Sequence, residues 1–348
     1  MTTTTEQKIL DGAFKPKPPR ALVGTCPNHW LYTASPASFD LTRPAPPDFP
    51  LPSPSSSITL ATTTTPIIIS PSKTALVIID MQNFFISTSL SRPADGAGNK
   101  AAKCLVKTAI PAARKAGIRI IWLNWGLTDS DIEHMPPSTR RAFGFEDSLK
   151  TEENALPAID AHGVNQVAVD LHLKENAADM KELTENGKPK RIYKGLGSEM
   201  GPVILEDGSK VDGGRLLMCD TWNAALPPAL DAAYKEGQQL GEKPDIWIHK
   251  NRMSGLWGAT TPCEEFLRQE GITTLLFTGV NTDQCVGGSL QDAFTKGWDC
   301  VLLSDGCGTT SPSFASDCVE YNCARTWGFV TNCNGLEKGV QSMLGEAN

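Results

Sequence analysis

Thr74-Ala-Leu-Val-Ile-Ile-Asp80 is the stretch from which the rest of the chain can be read. Ala75 to Ile79 is an apolar run without polar alternation. That pattern describes a strand covered on both faces, the usual state of a strand inside a parallel sheet. Downstream, Lys100 to Ala116 reads as an amphipathic helix ending at Gly117, and Ile118 to Trp125 as a second apolar strand, which completes a βαβ unit. The same rhythm returns later. Asp245 to Lys250 reads as a strand, Thr261 to Glu270 as a helix, Thr273 to Gly279 as a strand, Val286 to Lys296 as a helix and Asp299 to Ser304 as a strand. The fold class predicted is α/β, a three-layer α/β/α arrangement with a central parallel sheet.

Upstream of Lys73 the character changes. Residues 1–72 hold 13 of the 25 prolines, with Thr62 to Thr65 and Ser53 to Ser57 as hydroxyl-rich runs. Such a composition excludes long helices and predicts a Pro/Thr/Ser-rich arm, on which Trp30-Leu31-Tyr32 and Phe39-Asp40-Leu41 are the islands able to dock. The body then spans 73–348. Within it, residues 145–214 are polar and rich in Glu and Lys, which predicts an insertion carrying its own short helices. Two uses of that insertion stand: a lid, or a surface excursion extending an oligomer interface.

At 348 residues and 40% hydrophobic composition the chain can bury a large core. Its formal net charge of -7 gives no general attraction to phosphate backbones, so nucleic acid is not an expected partner. Runs such as Thr74 to Asp80 and Ile118 to Trp125 are far shorter than the roughly 20 residues of a membrane-spanning helix, so no membrane is expected either. The N-terminal Met-Thr-Thr-Thr-Thr-Glu-Gln lacks basic and apolar signal regions, and no Asn-x-Ser/Thr site occurs, so a cytoplasmic location is expected. The ten cysteines then read as reduced, mostly buried thiols.

Ligands of open parallel sheets bind beyond the carboxyl ends of the strands, so polar residues there are the first candidates for chemistry. Asp80 ends the first strand, Lys250 ends the strand Asp245 to His249, and Cys285 opens the helix after the strand ending at Gly279. Singly, each has a mundane role as a cap, a solvated strand end or a buried thiol. Jointly they supply a nucleophile, an ammonium that favours thiolate, and a carboxylate able to carry a proton from thiol to leaving amine. The set suits acyl transfer from an amide to water.

Three blocks carry a further reading: Thr74 to Phe85, His249-Lys-Asn-Arg-Met-Ser-Gly-Leu-Trp-Gly258 and Phe277-Thr-Gly-Val-Asn-Thr-Asp-Gln-Cys-Val286. In order and spacing, over roughly Ser72 to Gly339, the chain resembles the isochorismatase-like cysteine hydrolases. The resemblance implies an isochorismatase-like fold and a catalytic triad of Asp80, Lys250 and Cys285. It also implies a cis peptide at Val280-Asn281 and an oxyanion hole from the backbone N–H groups of Asn281 and Cys285. Members with the cysteine resemble amidases, whereas those named for isochorismate cleave a vinyl ether without it. Oligomers are usual in the family, so a homo-oligomer, dimer or tetramer, is implied.

Nicotinamidase-like members bind a metal through an Asp-x-His pattern. The matching stretch, Leu123 to Asp131, has none, and the histidines are only His29, His134, His162, His172 and His249, so no metal and no cofactor are expected. Asn124-Trp125-Gly126 and Cys219-Asp-Thr-Trp-Asn223 instead resemble the metal-free ureidoacrylate hydrolase branch. Cys300, Cys307, Cys318, Cys323 and Cys333 lack the paired spacing of zinc knuckles and read as buried thiols. Gly195-Leu-Gly197-Ser-Glu-Met-Gly201 follows no strand and reads as a turn, not a dinucleotide loop.

For the pocket, Phe84, Phe85, Trp125, Trp222 and Trp257 are candidate walls, Asn83 and Asn223 candidate amide-orienting groups, and Arg252 a candidate partner for a substrate carboxylate or a surface residue. The leading function is a metal-free cysteine hydrolase that cleaves a C–N bond of a small amide or ureido substrate through a thioester. Two alternatives remain: an isochorismate-type hydrolase with Cys285 a bystander, and a non-catalytic binding protein that retains the fold.

Overall fold

The computed structural model describes residues 19–146, 159–161, 163, 184–185, 188–189 and 194–346. The first described segment is not an extended arm. Strands β1 (Arg20–Thr25), β2 (Asn28–Ala34), β3 (Ala37–Asp40), β4 (Ile58–Leu60) and β5 (Ile67–Ile69) form a five-stranded sheet in the order β1-β2-β3-β5-β4. Its buried face presents Ile58, Leu60, Ile67 and Ile69, which join Leu336 and Val340 of the C-terminal helix Cys333–Leu344 in one apolar cluster. Fully burying each such side chain contributes roughly 1.5–3 kcal/mol. Gly339 of that helix lies so close to β4 that a Cβ there would come within 2.7 Å of the Thr59 carbonyl oxygen. Both aromatic islands are used: Trp30 and Phe39 pack on Phe329. The Trp30 indole and the Arg43 guanidinium both donate to buried Asp299, Arg43 through two bonds of 2.6 and 2.8 Å.

The body is built on strands β6 (Thr74–Ile79), β7 (Arg119–Trp125), β12 (Ile246–Lys250), β13 (Thr274–Val280), β14 (Asp299–Gly308) and β15 (Phe329–Thr331). Between β7 and β12 lie the short pairs β8 (Thr184–Glu185) with β9 (Lys188–Pro189) and β10 (Pro202–Ile204) with β11 (Lys210–Asp212). The six body strands are all parallel, in the order β12-β7-β6-β13-β14-β15. Every residue of β6, β7 and β13 is buried, as unalternating apolar runs require. Alternate residues feed two clusters: Val77, Ile79, Leu123 and Trp125 face one side, Leu76, Ile78, Ile120 and Trp122 the other. Helices cover both faces, giving the three-layer α/β/α fold read from the sequence. The helix after β6 is continuous from Ala97 through a π turn at Leu105–Ala109 to Lys115, and Gly117 follows at φ +69°.

Chain order reverses at β6. From it the chain builds outward through β7 to β12, then crosses to β13 on the other side. This is a topological switch point, and the carboxyl ends of β6 and β13 flank the crevice it creates.

The short helices expected of the polar insertion fall largely on residues outside the described ones. Its described residues form strands, bridges and turns, including the β10–β11 hairpin closed at Asp207-Gly208, and they send Leu196, Met200 and Val203 into the core over the crevice. Binary pattern hid these residues because Leu196 and Met200 stand singly beside glycines and Val203 opens a run of only three apolar residues, Val203 to Leu205. Residues 147–158 and most of 164–193 lie outside the described residues. So do His162 and His172. No described helix is long and apolar enough to cross a membrane.

Candidate active site

Asp80, immediately after β6, has φ +53°, a left-handed conformation that costs an L-residue about 1–2 kcal/mol. The surrounding bonds enforce it: the Asp80 N–H donates to the Leu123 carbonyl at 3.2 Å, and its Oδ1 accepts the Trp125 N–H at 3.1 Å. The turn brings Oδ2 to 2.9 Å from Lys250 Nζ, in an ion pair whose side chains are 0% and 1% exposed. Lys250 comes from β12, and β7 lies between β12 and β6, so its side chain must cross the end of β7. It does so over Trp125, the last residue of β7, with Nζ 3.9 Å from the ring centroid. A second anchor is the Arg252 carbonyl, which accepts from Nζ at 3.0 Å.

Cys285 enters from the other side of the switch point. It lies in the π turn Thr282–Val286 between β13 and the helix Gly287–Thr295, is 5% exposed, and sits beside the Asp80 carboxyl. The Val280–Asn281 peptide is cis. The structure therefore brings Asp80, Lys250 and Cys285 together, although 205 positions separate the first from the last.

The charge state of the cluster departs from the expectation of a low-pKa thiol. Burial pushes the Cys285 thiol up to about 12; the Lys250 charge and the Trp125 indole pull the other way, and neighbouring Asp80 adds to the rise. Burial likewise holds the Asp80 carboxyl above its usual range, against the Lys250 charge and the bonds it accepts from Cys285, Lys250 and the Trp125 N–H. At rest the Cys285 thiol is thus neutral, with the Asp80 carboxyl beside it. Desolvation of a nearly fully buried sulfur outweighs the ammonium and the helix start, and burial depth is what the sequence does not display.

The pocket candidates separate into three places. Trp125 is part of the cluster itself, and its ring meets Phe143 edge-on at 5.3 Å; Phe143 meets Phe84, which meets Phe85 at 4.9 Å. These rings belong to the same apolar cluster as Cys285. Asn83 and Trp222 line a cavity of about 590 Å³ with Ser87, Asn99 and Glu206, and Asn83 donates to the Trp222 carbonyl at 2.8 Å. Trp257 is half exposed beneath the Arg252 guanidinium, 4.8 Å away, and donates to Asn251. Arg252 itself is tied to the Asn251 and His134 carbonyls. Asn223 is fully buried and clasps its own loop: Oδ1 accepts the Leu217 N–H, and Nδ2 donates to Gly213, Arg215 and Thr221.

Gln82 escaped the sequence reading. It is fully buried, accepts the Trp125 N–H at 3.1 Å and donates to the Trp125 and Ala224 carbonyls at 2.7 and 2.6 Å, which stitches β7 to the loop before Ala225. Its signal was position alone, two residues after Asp80. Gly126 is a second omission: a Cβ there would overlap the His249 imidazole, at 1.8 Å from Nδ1, so the residue before Lys250 packs flat against it.

All ten cysteines are free. Of the five toward the C-terminus, Cys300, Cys307, Cys323 and Cys333 are buried thiols as expected. Cys318 is exposed, a correction that follows from its lying on the outer face of the helix Ser313–Asn322. Among the described residues, no group of three or more His, Cys, Asp and Glu side chains is placed to hold a metal ion.

Comparison with known proteins adds an independent line. The isochorismatase domain model matches residues 222–320, the stretch containing Lys250 and Cys285. A ureidoacrylate amidohydrolase, RutB, from Rhizobium rhizogenes is 26% identical over 283 residues, covering 80% of this chain and 88% of the relative. RutB of Agrobacterium fabrum is 25% identical over 280 residues, covering 80% and 94%. Among solved structures, a cysteine hydrolase from Pseudomonas syringae pv. phaseolicola matches at a TM-score of 0.47 and 14% identity over 79% of this chain and 95% of that one. The domain match falls on the lysine and cysteine blocks and the likeness to the amidohydrolases extends through the aspartate block as well: over four-fifths of its length the chain is similar to the isochorismatase-like hydrolases.

Proposed function

We propose that this protein is a cysteine amidohydrolase that cleaves a C–N bond of a small carboxamide or ureido compound through a thioester on Cys285. The observation that carries the reading is the buried cluster Lys250–Asp80–Cys285, with 2.9 Å between ammonium and carboxylate and the thiol beside that carboxylate. As the sulfur attacks the carbonyl carbon, its proton passes to Asp80 and the carbonyl π pair moves to oxygen. Lys250 keeps the pair electrostatically balanced, since its charge opposes that of Asp80 and of the forming thiolate. The backbone N–H groups of Asn281 and Cys285 are the proposed donors to the oxyanion, a contribution typically of about 10²- to 10³-fold in rate.

Collapse of the tetrahedral species breaks the C–N bond, and Asp80 returns the proton to the leaving amine. Water then attacks the thioester, Asp80 takes one water proton, and the C–S bond breaks to free the acid product and the thiol. Phe84, Phe85 and Trp257 are proposed to wall the substrate, with Asn83 and Trp222 at its far end.

Ureido substrates stand first because the relatives carrying that name span four-fifths of this chain. The test is ammonia release by the purified full chain from ureidoacrylate and a panel of small linear carboxamides. Release from at least one, saturable and proportional to enzyme, is expected. No release from any, together with consumption of isochorismate, would favour vinyl ether hydrolysis instead.

A further inference from the structure

Gln82 does more than hold backbone together. The orientation of its amide is fixed by its own bonds: Nε2 donates to the Trp125 and Ala224 carbonyls at 2.7 and 2.6 Å, and only the amide nitrogen can donate. Oε1 is thereby turned to the Trp125 backbone N–H, which it accepts at 3.1 Å. That N–H already has an acceptor in Asp80 Oδ1, also at 3.1 Å. One hydrogen is shared between two oxygens at equal distance. A buried backbone donor needs a single acceptor, so the second adds nothing to the satisfaction of β7. Its effect falls on the oxygen with which it competes. Both side chains are 0% exposed, and at such depth a hydrogen bond is electrostatically stronger than in water.

A hydrogen bond accepted by a carboxylate favours its ionised form and so weakens it as a base. The groups facing Asp80 are Lys250 from β12, at 2.9 Å, the Trp125 N–H from β7, and Cys285 from the turn after β13. Of these, the N–H is the one whose hold on Asp80 a neighbour divides. We propose that Gln82 is a positioning residue for the proton transfer: by taking a share of the Trp125 hydrogen, it leaves Asp80 the stronger base toward the Cys285 thiol. The inference rests on the reading of Asp80 as that base. No atom leaves Gln82. The thiol proton passes to Asp80, and the shared hydrogen stays on the Trp125 nitrogen throughout. The Ala224 carbonyl that anchors Nε2 belongs to the turn Trp222–Ala224, so the aim of Oε1 is set from outside the sheet.

The test compares pH profiles of kcat/KM for wild type, Gln82→Met and Gln82→Glu, as full chains on the best amide of the panel, with urea unfolding of each beside them. Methionine fills similar space and accepts only weakly, so Asp80 gains the whole bond and becomes the weaker base. Activity is lost as pH falls through the Asp80 value. The acid limb of Gln82→Met should therefore move down by about 0.5–1 pH unit, and kcat at the plateau should fall about tenfold with KM little changed. Glutamate keeps an acceptor toward the Trp125 N–H. Its limb should lie at or above the wild-type position, and it decides the matter if the Met variant does not fold. A limb unmoved in Gln82→Met, with only the unfolding midpoint lowered, or a limb lowered in Gln82→Glu, would overturn the inference and leave Gln82 as a brace for the backbone. An acid limb that persists in Asp80→Asn would instead overturn the reading of Asp80 as base.

Discussion

Cys285→Ala should fold and be inert, with turnover of any accepted amide reduced by about 10³-fold or more. The fold survives because the change removes one sulfur from a site between β13 and the helix Gly287–Thr295 that stays buried on all sides, a loss on the order of 1 kcal/mol. Activity does not survive because the C–S bond is the step that divides amide hydrolysis into two easier halves. Cys285→Ser should be nearly as inactive. A serine hydroxyl in a pocket that already holds a thiol at about 12 gives up its proton far less readily. Steady-state assays beside thermal unfolding check both. An active Cys285→Ala protein would transfer the function to the vinyl ether reading.

Asp80→Asn is the second large effect, and it acts on rate and stability together. The amide cannot accept the thiol proton, so kcat/KM should fall by about 10²- to 10⁴-fold. It also leaves the Lys250 ammonium buried without its counter-charge, for which the loss of stability is about 3–5 kcal/mol, visible as a lower urea midpoint. The pH profile separates the two. In wild type Asp80 must be ionised to act as base, and burial holds its carboxyl above the ordinary 3.8. Activity is therefore present above that raised value and lost as pH falls through it, so the acid limb of kcat/KM should lie higher than a free carboxylate would place it. In Asp80→Asn the residual rate should lack that limb.

Much of the candidate site's end of the sheet was readable. Thr74 to Ile79, Ile118 to Trp125 and Thr273 to Gly279 announce themselves because strands covered on both faces need no polar alternation, and Asp80, Lys250 and Cys285 stand where those runs end. What stayed hidden is non-local. The apolar residues of β4 and β5 sit among prolines, serines and threonines in strands of three residues, and they become core only when the helix Cys333–Leu344 comes to cover them. Likewise β15 is a three-residue edge strand defined by its neighbour β14. Asn223 has the composition of a ligand-binding residue, yet its partners Gly213, Arg215 and Leu217 show it clasping a loop. The protonation of Cys285 depends on depth of burial, and the place of Trp125 beneath Lys250 depends on strand order. Neither quantity is local to the residues concerned.

The central claim is that Cys285 carries the acyl group, and the most direct measurement is an acid-quenched single turnover of the full chain with the best amide of the panel, followed by peptide mass spectrometry. The account predicts an acyl mass increment on the peptide containing Cys285, rising and decaying as amine and then acid appear, and absent from Cys285→Ala, which forms no product. Product formation in Cys285→Ala at the wild-type rate, with Cys285 unmodified throughout wild-type turnover, would contradict it.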